Sequence, residues 1–300
     1  MKDIRGKVAF ITGGGSGVGL GQAKVFAREG CRVVIADIRQ DHLDEAMRHF
    51  SETDAEVHPI LLDITDRDAY ARAADETEDR FGVVQLLFNT AGVSIFGPLE
   101  QSTYSDYDWQ MGVNFGGTVN GIVTLVPRMI EHGDGGHIIS TASLGAFIAA
   151  GPAGIYSASK FAVRGLSEAL RSELEKYDIG VTVLCPANVN TNIAESVQTR
   201  PEKFGDSGYV FDDEVLDSLR RIYSAGKDPV ELAEEVLKSV RDNQLYCIPY
   251  PEARTSLQNH FDEVLACLPP EDADPEGVAK RAEAMQQYRK ELMEKQYKVH

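Results

Sequence analysis

Short runs of apolar, β-branched residues alternate along most of the chain with longer stretches in which apolar residues recur every three or four positions. The longer stretches are typical of amphipathic helices, and the short, almost continuously apolar runs are typical of strands buried on both faces of a parallel sheet. The pattern therefore predicts an α/β fold with a doubly wound, seven-stranded parallel sheet and helices on both faces. The seven predicted strands are 7–12, 31–37, 55–63, 83–89, 136–143, 180–186 and 245–250.

Three parts of the chain depart from this simple alternation. The longest predicted helices before the tail span about 101–132 and 154–178. Residues 191–226 follow a predicted strand and contain Pro and Gly residues, a pattern that suits either a mobile lid over a site or a plain surface insertion. From residue 251 onward the chain is charged and helical. Its apolar stripe comprises Val278, Ala282, Met285, Tyr288 and Leu292.

We therefore expect one catalytic α/β domain at 1–250, with the lid segment at 191–226, and a helical extension at 251–300. The extension is expected to pack either on the same domain or on a neighbouring subunit, because an amphipathic helix is stable only when its apolar stripe is covered. A homodimer or homotetramer is the expected assembly.

The charge of the chain excludes several classes of partner. With 30 basic and 47 acidic residues, the formal net charge is −17, which repels nucleic acid and anionic membrane surfaces. The four cysteines lie far apart without metal-ligand spacing, so neither a disulfide framework nor a metal site is expected. Neither a signal-peptide pattern nor an apolar run of membrane-spanning length occurs in the sequence. These features indicate a cytoplasmic protein that acts on a small molecule.

A glycine-rich loop, TGGGSGVG at 12–19, directly follows the first predicted strand and opens a helix. Glycines at this junction let a pyrophosphate approach backbone N–H groups and the helix N-terminus, as in Rossmann-type folds. Asp37 ends the second strand, where a carboxylate accepts ribose hydroxyls and repels a 2′-phosphate; the preferred cofactor is therefore NAD. Ile38 follows the acid immediately, and Arg39 is a nearby cation that could weaken this preference. The loop residues predicted to bind the cofactor are Gly13, Ser16, Gly17, Val18 and Gly19.

The sequence IYSASK places Tyr156 and Lys160 four residues apart in a predicted helix. Residues at this spacing share one helical face, so the phenol and the ammonium could act on the same substrate atom. The same spacing also occurs in ordinary solvated contacts, and the pair alone does not distinguish the two interpretations.

Several further motifs occur in a fixed order, and together they resemble the short-chain dehydrogenase/reductase family over about residues 5–250. NTAG stands where the family usually has NNAG, and PA stands where it usually has PG. The motifs are TGGGSGVG (12–19), Asp63, NTAG (89–92), Asn114, Ser143, YSASK (156–160) and PANVNT (186–191).

The resemblance implies a catalytic set of Asn114, Ser143, Tyr156 and Lys160. Tyr156 is then the base, Ser143 binds the substrate oxygen, and Asn114 holds a water that links Lys160 to solvent. Lys160 also binds the nicotinamide ribose, and its ammonium is expected to lower the pKa of Tyr156, since one charge a few ångströms away supplies about 4 kcal/mol at an effective dielectric constant of ~20. The resemblance further places Asp63, Ile64, Asn89, Ala91, Val189 and Thr191 at the cofactor.

More narrowly, the chain resembles the bacterial Cα-dehydrogenases of lignin β-aryl ether breakdown. It implies NAD-dependent oxidation of a benzylic secondary alcohol, the Cα-OH of an arylglycerol-β-aryl ether, to the ketone. The segments that carry it are ADIRQDHLDEA (36–46), NTAGVSIFGPLE (89–100), TYSDYDW (103–109), PANVNTNIAES (186–196), RPEKFGDSGYV (200–210) and LYCIPYPE (245–252).

The substrate pocket is expected to contain aromatic and polar residues from loops that follow strands and from the lid, because open α/β sheets bind ligands there. A core role is equally open for Phe96 and Ile148. The alternatives to an aryl alcohol are steroid or 3-oxoacyl substrates, and outside the enzymes a non-catalytic, NAD-sensing binding protein. The candidate substrate residues are Ser94, Phe96, Ser143, Ile148, Tyr209 and Tyr250.

Overall fold

The computed structural model describes residues 1–296, with side chains to residue 291. Within this part of the chain, seven parallel strands form one sheet in the order β3-β2-β1-β4-β5-β6-β7, as the sequence predicts. Strand β7 is much shorter than its apolar run. The strands are β1 Val8–Thr12, β2 Arg32–Asp37, β3 Val57–Leu61, β4 Leu86–Asn89, β5 Gly136–Thr141, β6 Ile179–Leu184 and β7 Tyr246–Cys247.

Helices connect the strands and cover both faces of the sheet, since every residue of β1 and of β5 is buried. The aromatic and aliphatic side chains of the central strands therefore form a continuous core with the helices. The helices are α1 Gly17–Arg28, α2 Gln40–Phe50, α3 Arg67–Phe81, α4 Tyr104–Met111, α5 Gly117–His132, α6 Gly154–Leu174, α7 Asp213–Ser224, α8 Pro229–Arg241, α9 Arg254–Ala266 and α10 Pro275–Gln296.

The strand register brings the carboxyl ends of three strands to one edge of the sheet. Thr12 at the end of β1 lies opposite Ala36 of β2, and Ile11 lies opposite Phe88 of β4. The strand order reverses between β2 and β4, on either side of β1, and this is the position at which doubly wound sheets bind their ligands. The glycine-rich loop after β1 lies at this position.

The segment predicted as one long helix at 101–132 is instead two helices, α4 and α5, joined by a single π-helical turn at Gly112–Gly116. Gly112, Gly116 and Gly117 lower the helix propensity there, and a π-turn widens the backbone where it occurs. The segment is helical without a break from Tyr104 to His132, and the π-turn, which the periodicity does not predict, contains the candidate catalytic residue Asn114.

The lid segment contains a 3₁₀ helix at Asn192–Thr199, a 3₁₀ turn at Glu202–Phe204 and helix α7. Its helix α7 buries only Leu216, so it packs with a small apolar area compared with the helices of the sheet.

The chain divides into a compact unit at Met1–Pro251 and a second unit that begins at Glu252. The second unit contains α9 and α10. Within it, Val278, Met285 and Tyr288 of the predicted stripe are exposed, whereas the side chain of Leu292 lies outside the described residues. None of the helices in the described chain is long and apolar enough to span a membrane.

Candidate active site

The loop after β1 is shaped by backbone conformations that favour glycine. Gly13 and Gly17 have φ angles of +67° and +49°, in the left-handed region. At Gly19 a Cβ atom would lie 2.1 Å from the carbonyl oxygen of Gly13, so α1 approaches the loop too closely for any side chain. This close packing leaves the backbone N–H groups at the start of α1 open to a pyrophosphate, and the loop therefore fits a dinucleotide.

Asp37 is buried at the end of β2 and is held from two sides. Its Oδ2 atom accepts a hydrogen bond from the Gly15 backbone N–H at 3.1 Å, and its Oδ1 atom accepts one from the Arg39 backbone N–H at 3.0 Å. Both carboxylate oxygens keep a free lone pair, so the side chain can accept the two hydroxyls of an adenosine ribose.

One cavity runs from the glycine-rich loop past Asp37 to the start of the lid. Asn89 and Val189 are not among its lining residues in the described chain: Asn89 Nδ2 donates to Ser140 Oγ of β5 at 3.5 Å, and Val189 is buried in an isolated β-bridge with Lys227. Of the predicted cofactor residues, the cavity is lined by Gly13, Ser16, Gly17, Val18, Gly19, Asp37, Ile38, Asp63, Ile64, Ala91 and Thr191.

Lys160 and Asn114 lie on either side of Gly92. Lys160 is 4% exposed, and its Nζ atom donates to the Thr141 carbonyl oxygen at 2.9 Å. The Asn114 side chain is fixed by the Val93 backbone, with Oδ1 accepting at 2.8 Å and Nδ2 donating at 3.0 Å. A Cβ atom on Gly92 would lie 3.1 Å from Asn114 Oδ1 and 3.4 Å from Lys160 Nζ, so glycine keeps the gap between them open.

Tyr156 stands on α6 one turn before Lys160, whose Nζ atom is 5.6 Å from the centre of the phenol ring. Burial raises the pKa of Tyr156 above its ordinary value, and a hydrogen bond from Ser143 lowers it by less. Burial also lowers the pKa of Lys160 to about 8. The direction at Tyr156 is opposite to the lowering that the Tyr/Lys spacing predicts, because the desolvation of the phenolate is the largest effect and outweighs the hydrogen bond from Ser143.

Ser143 follows β5 and has two roles in the structure. Its Oγ atom accepts from the Gly145 backbone N–H at 3.0 Å, which caps a short 3₁₀ turn, and it hydrogen-bonds the phenol of Tyr156. The side chain is therefore fixed beside the phenol, and an oxygen atom between the two hydroxyls could bond both of them.

The candidate substrate residues lie in different surroundings. The ring of Phe96 is 6.0 Å from that of Tyr156, and Ile148 is half-buried on the loop after Ser143. Ser94 is buried, with a hydroxyl that has no hydrogen-bond partner. Tyr209 instead packs into a hydrophobic cluster with Ile95, Trp109 and Ile155, and the Tyr250 hydroxyl donates to the Asn188 carbonyl oxygen at 3.2 Å.

The lid adds residues that the sequence analysis does not identify. Arg200 and Asp106 form a buried ion pair at 2.8 Å, with side chains 7% and 0% exposed. In α7, burial and then the nearby Tyr156 phenol raise the pKa of Tyr223 to about 12, so this second phenol lies within electrostatic range of the catalytic tyrosine. No local pattern marks either feature, because the partners come from distant parts of the chain.

A dinucleotide cradle with a ribose-binding acid, joined to a constellation of Ser, Tyr, Lys and Asn in which the Lys and the Asn are buried, defines a pyridine-nucleotide-dependent alcohol dehydrogenase. The chain belongs to the short-chain dehydrogenase family, whose model matches residues 7–202. Its cofactor is NAD; a short-chain dehydrogenase/reductase from Burkholderia phymatum, solved in complex with NAD, has a TM-score of 0.85 at 31% identity, over 91% of this chain and 99% of that one.

Two relatives resemble the chain more closely in sequence. A C alpha-dehydrogenase of Sphingobium sp. strain SYK-6 is 51% identical over 286 residues, which cover 95% of this chain and 94% of that protein. The crystal structure of the apo form of LigO from the same strain is 48% identical, with a TM-score of 0.79, and covers 96% of this chain and 98% of that one. Both resemblances extend through the lid and most of the helical tail.

Proposed function

We propose that the protein oxidises the Cα-OH of arylglycerol-β-aryl ethers to the ketone, with NAD as the hydride acceptor. The observation that carries this proposal is the 51% identity to a C alpha-dehydrogenase over 95% of the chain. Because the aligned region covers 95% of the chain, it reaches most of the lid and of the loops after the strands, which are the segments that vary with the substrate in open α/β folds. The alternative substrates, steroids and 3-oxoacyl chains, have no such support along the whole chain.

Four side chains carry the reaction in this proposal. Ser143 binds the substrate hydroxyl, and Tyr156 takes its proton. Lys160 stabilises the phenolate with its ammonium. Asn114 accepts a hydrogen bond from the Val93 backbone N–H and so fixes the backbone next to Gly92, near Lys160. Bound NAD supplies the carbon that accepts the hydride. The residues that hold it are those of the glycine-rich loop, Asp37, and the lining residues from Asp63 to Thr191.

The shifted pKa values of Tyr156 and Lys160 determine how the proton of the substrate hydroxyl leaves the site. Tyr156 holds its proton more tightly than a free phenol does, whereas Lys160, with a pKa of about 8, is close to losing its own near neutral pH. An ammonium with this pKa can pass a proton toward solvent during each turnover and regain it, which a lysine of ordinary pKa does poorly. Lys160 is therefore a proton carrier as well as a source of positive charge.

The pocket that we propose for the aryl groups lies around Tyr156. Phe96 lies beside the phenol, Ile148 is half-buried on the loop after Ser143, and the Ser94 hydroxyl, which has no hydrogen-bond partner in the described chain, is available for a polar group of the substrate. Tyr209 and Tyr250 shape the walls of this pocket through their packing.

We further propose that the protein works in the cytoplasm, which agrees with the free thiols of Cys31, Cys185, Cys247 and Cys267 in the described chain. We also propose that it forms a homodimer or homotetramer.

The test is a screen of NADH formation with purified protein. Guaiacylglycerol-β-guaiacyl ether stereoisomers, a hydroxysteroid and a 3-hydroxyacyl substrate are compared at equal concentration, with Tyr156→Phe as the inactive control. We expect kcat/KM to be highest for a β-aryl ether isomer by at least tenfold. Activity confined to the steroid or the acyl substrate would refute the substrate assignment, and NAD binding without turnover of any alcohol would favour the sensing protein.

A further inference from the structure

The arginine that follows the ribose-binding acid is already paired with a carboxylate of its own chain. Arg39, two positions after Asp37, lines the dinucleotide cavity. Its Nε atom donates to Asp41 Oδ1 at 3.0 Å, and its Nη2 atom pairs with Asp41 Oδ2. The guanidinium therefore presents its two-donor edge, the edge that would match a phosphate, to a carboxylate of its own chain.

Further carboxylates surround this arginine. The hydrogen bond to Asp41 is the main cause that raises the pKa of Arg39, and the charges of Glu195 and Asp37 act in the same direction. Glu195 belongs to the lid and also lines the cavity. The pKa of Asp41 is lowered to about 2, chiefly by the hydrogen bond from Arg39. Asp41 is therefore ionised near neutral pH.

The titratable groups facing the ribose edge come from three elements. Asp37 ends β2, Arg39 and His42 lie at the start of α2, and Glu195 lies in the lid. His42 Nε2 lies 3.5 Å from the side-chain nitrogen of Asn192. Arg39 is paired with Asp41, and Arg220 Nη2 lies 3.5 Å from Glu195 Oε1, whereas the Asp37 carboxylate is held by backbone N–H groups rather than by an ion pair.

We propose that Asp41 is a cofactor-specificity residue, which excludes NADP by holding the Arg39 guanidinium away from the position of a 2′-phosphate. Asp37 alone repels the phosphate, but an arginine two residues later offers a compensating bidentate site. Asp41 removes that compensation. The ion pair is partly exposed, at 34% and 64% for the two side chains, so its contribution to discrimination is a few-fold and adds to that of Asp37.

The experiment measures equilibrium binding of NADPH and NADH to purified protein by fluorescence titration, independently of turnover. Asp41→Asn keeps the size of the side chain and removes its charge. We expect NADPH affinity to rise about three- to fivefold, the range that an exposed ion pair allows, while NADH affinity changes by less than twofold. An unchanged NADPH affinity would overturn the proposal.

Two controls separate the hold on Arg39 from other effects. Asp44→Asn removes an equally exposed carboxylate of α2, which bonds Gln40 rather than a cation, and should leave both affinities within twofold. In an Arg39→Gln background, Asp41→Asn should no longer favour NADPH. If Asp44→Asn gave the same gain, or if the gain persisted without Arg39, net charge rather than the Arg39–Asp41 pair would set the preference, and the proposal would be wrong.

Discussion

At the scale of single residues, burial controls the chemistry of the site more than the neighbouring charge does. Tyr156 and Lys160 share a helical face, as their spacing predicts, yet burial raises the pKa of the phenol and lowers that of the ammonium. Both shifts favour the neutral forms, because a charge is poorly solvated in the protein interior.

The role of Tyr156 can be tested by removing a single oxygen atom. Tyr156→Phe keeps the volume of the ring and its contact with Phe96, so folding and NADH affinity should stay within twofold of wild type. We expect kcat to fall by at least ~10²-fold, since the positioned proton acceptor is lost. The measurement is steady-state NADH formation together with an NADH titration. A variant with nearly full turnover would mean that another group accepts the proton.

The lowered pKa of Lys160 predicts how the stability of the protein changes with pH. The unfolded chain binds this proton up to its ordinary pKa of 10.5, whereas the folded chain releases it above about 8. Between these values the unfolded state binds more protons, so the contribution of Lys160 to stability rises with pH and is smallest below pH 8. Relative to Lys160→Met, the free energy of unfolding should increase by about 1.4 kcal/mol per pH unit in this window.

Urea unfolding of both proteins at pH 8.0, 8.75 and 9.5 measures this difference, and the other titrating groups cancel between them. A difference that stays constant with pH would show that Lys160 keeps its ordinary pKa in the folded protein. The same variant should also bind NADH more weakly if Lys160 contacts the nicotinamide ribose as the family resemblance implies.

At the scale of elements, an ion pair and hydrogen bonds attach residues 200–208 of the lid to helix α4. Thr103 is the N-cap of α4, and Asp106 completes the capping box: its Oδ2 atom accepts from the Thr103 backbone N–H and hydroxyl, at 2.8 and 2.9 Å, and from the Gly208 backbone N–H at 3.1 Å. Arg200 donates to the same carboxylate and to the carbonyl oxygens of Phe204 and Gly205. The buried Asp106 carboxylate thus joins the start of α4 to the lid. Helix α7 of the lid, in contrast, buries only a small apolar area.

Breaking this pair should loosen the lid. Arg200→Gln leaves the Asp106 carboxylate buried without its cation, so we expect the free energy of unfolding to fall by about 3 kcal/mol. The KM for the alcohol should rise, and proteolysis within 191–226 should become faster. Arg221→Gln is the matched control, because Arg221 is exposed on α7 and donates to Ser218 Oγ of the same helix, so its loss should cost less than about 1 kcal/mol. Equal effects of the two variants would contradict a special role for the buried pair.

At the scale of the whole molecule, the cavity and the catalytic side chains all belong to the unit at Met1–Pro251. The second unit buries hardly any side chain within the described chain, and Val278, Met285 and Tyr288 on α10 are exposed. Helices with so little burial gain their stability from contact with another surface. We interpret the extension as part of the assembly rather than of the chemistry.

Deletion of the chain after Cys267 tests this division of roles. We expect NADH affinity to stay within twofold of the full-length value, because none of the cavity-lining residues is removed. Sedimentation velocity should show a smaller species, since α10 no longer supplies its apolar stripe to a neighbouring copy. Loss of NADH binding with an unchanged sedimentation coefficient would show that the extension serves the cofactor site instead.

The parts of the fold that the sequence predicted correctly depend on short-range patterns. All seven strands and the loop between β1 and α1 follow from apolar runs and glycines within a few residues of each other. The helical stretch predicted at 101–132 is confirmed from Tyr104 to His132, but its periodicity gives no sign of the π-turn that contains Asn114. The assignment of Asn89 to the cofactor stays a prediction; its side chain bonds Ser140 on the neighbouring strand, a contact that depends on strand order.

The sequence by itself determined the α/β fold, the order of the motifs, the preference for NAD and the identity of the candidate catalytic side chains, because each is encoded in local periodicity or in a spacing of a few residues. Only the tertiary structure decided the direction of the pKa of Tyr156, the pairing of Arg39 with Asp41 and the link between Asp106 and Arg200, which lie 94 residues apart. Burial and the choice of a partner are properties of the surroundings of a group in space, and these exist only once distant segments have packed together.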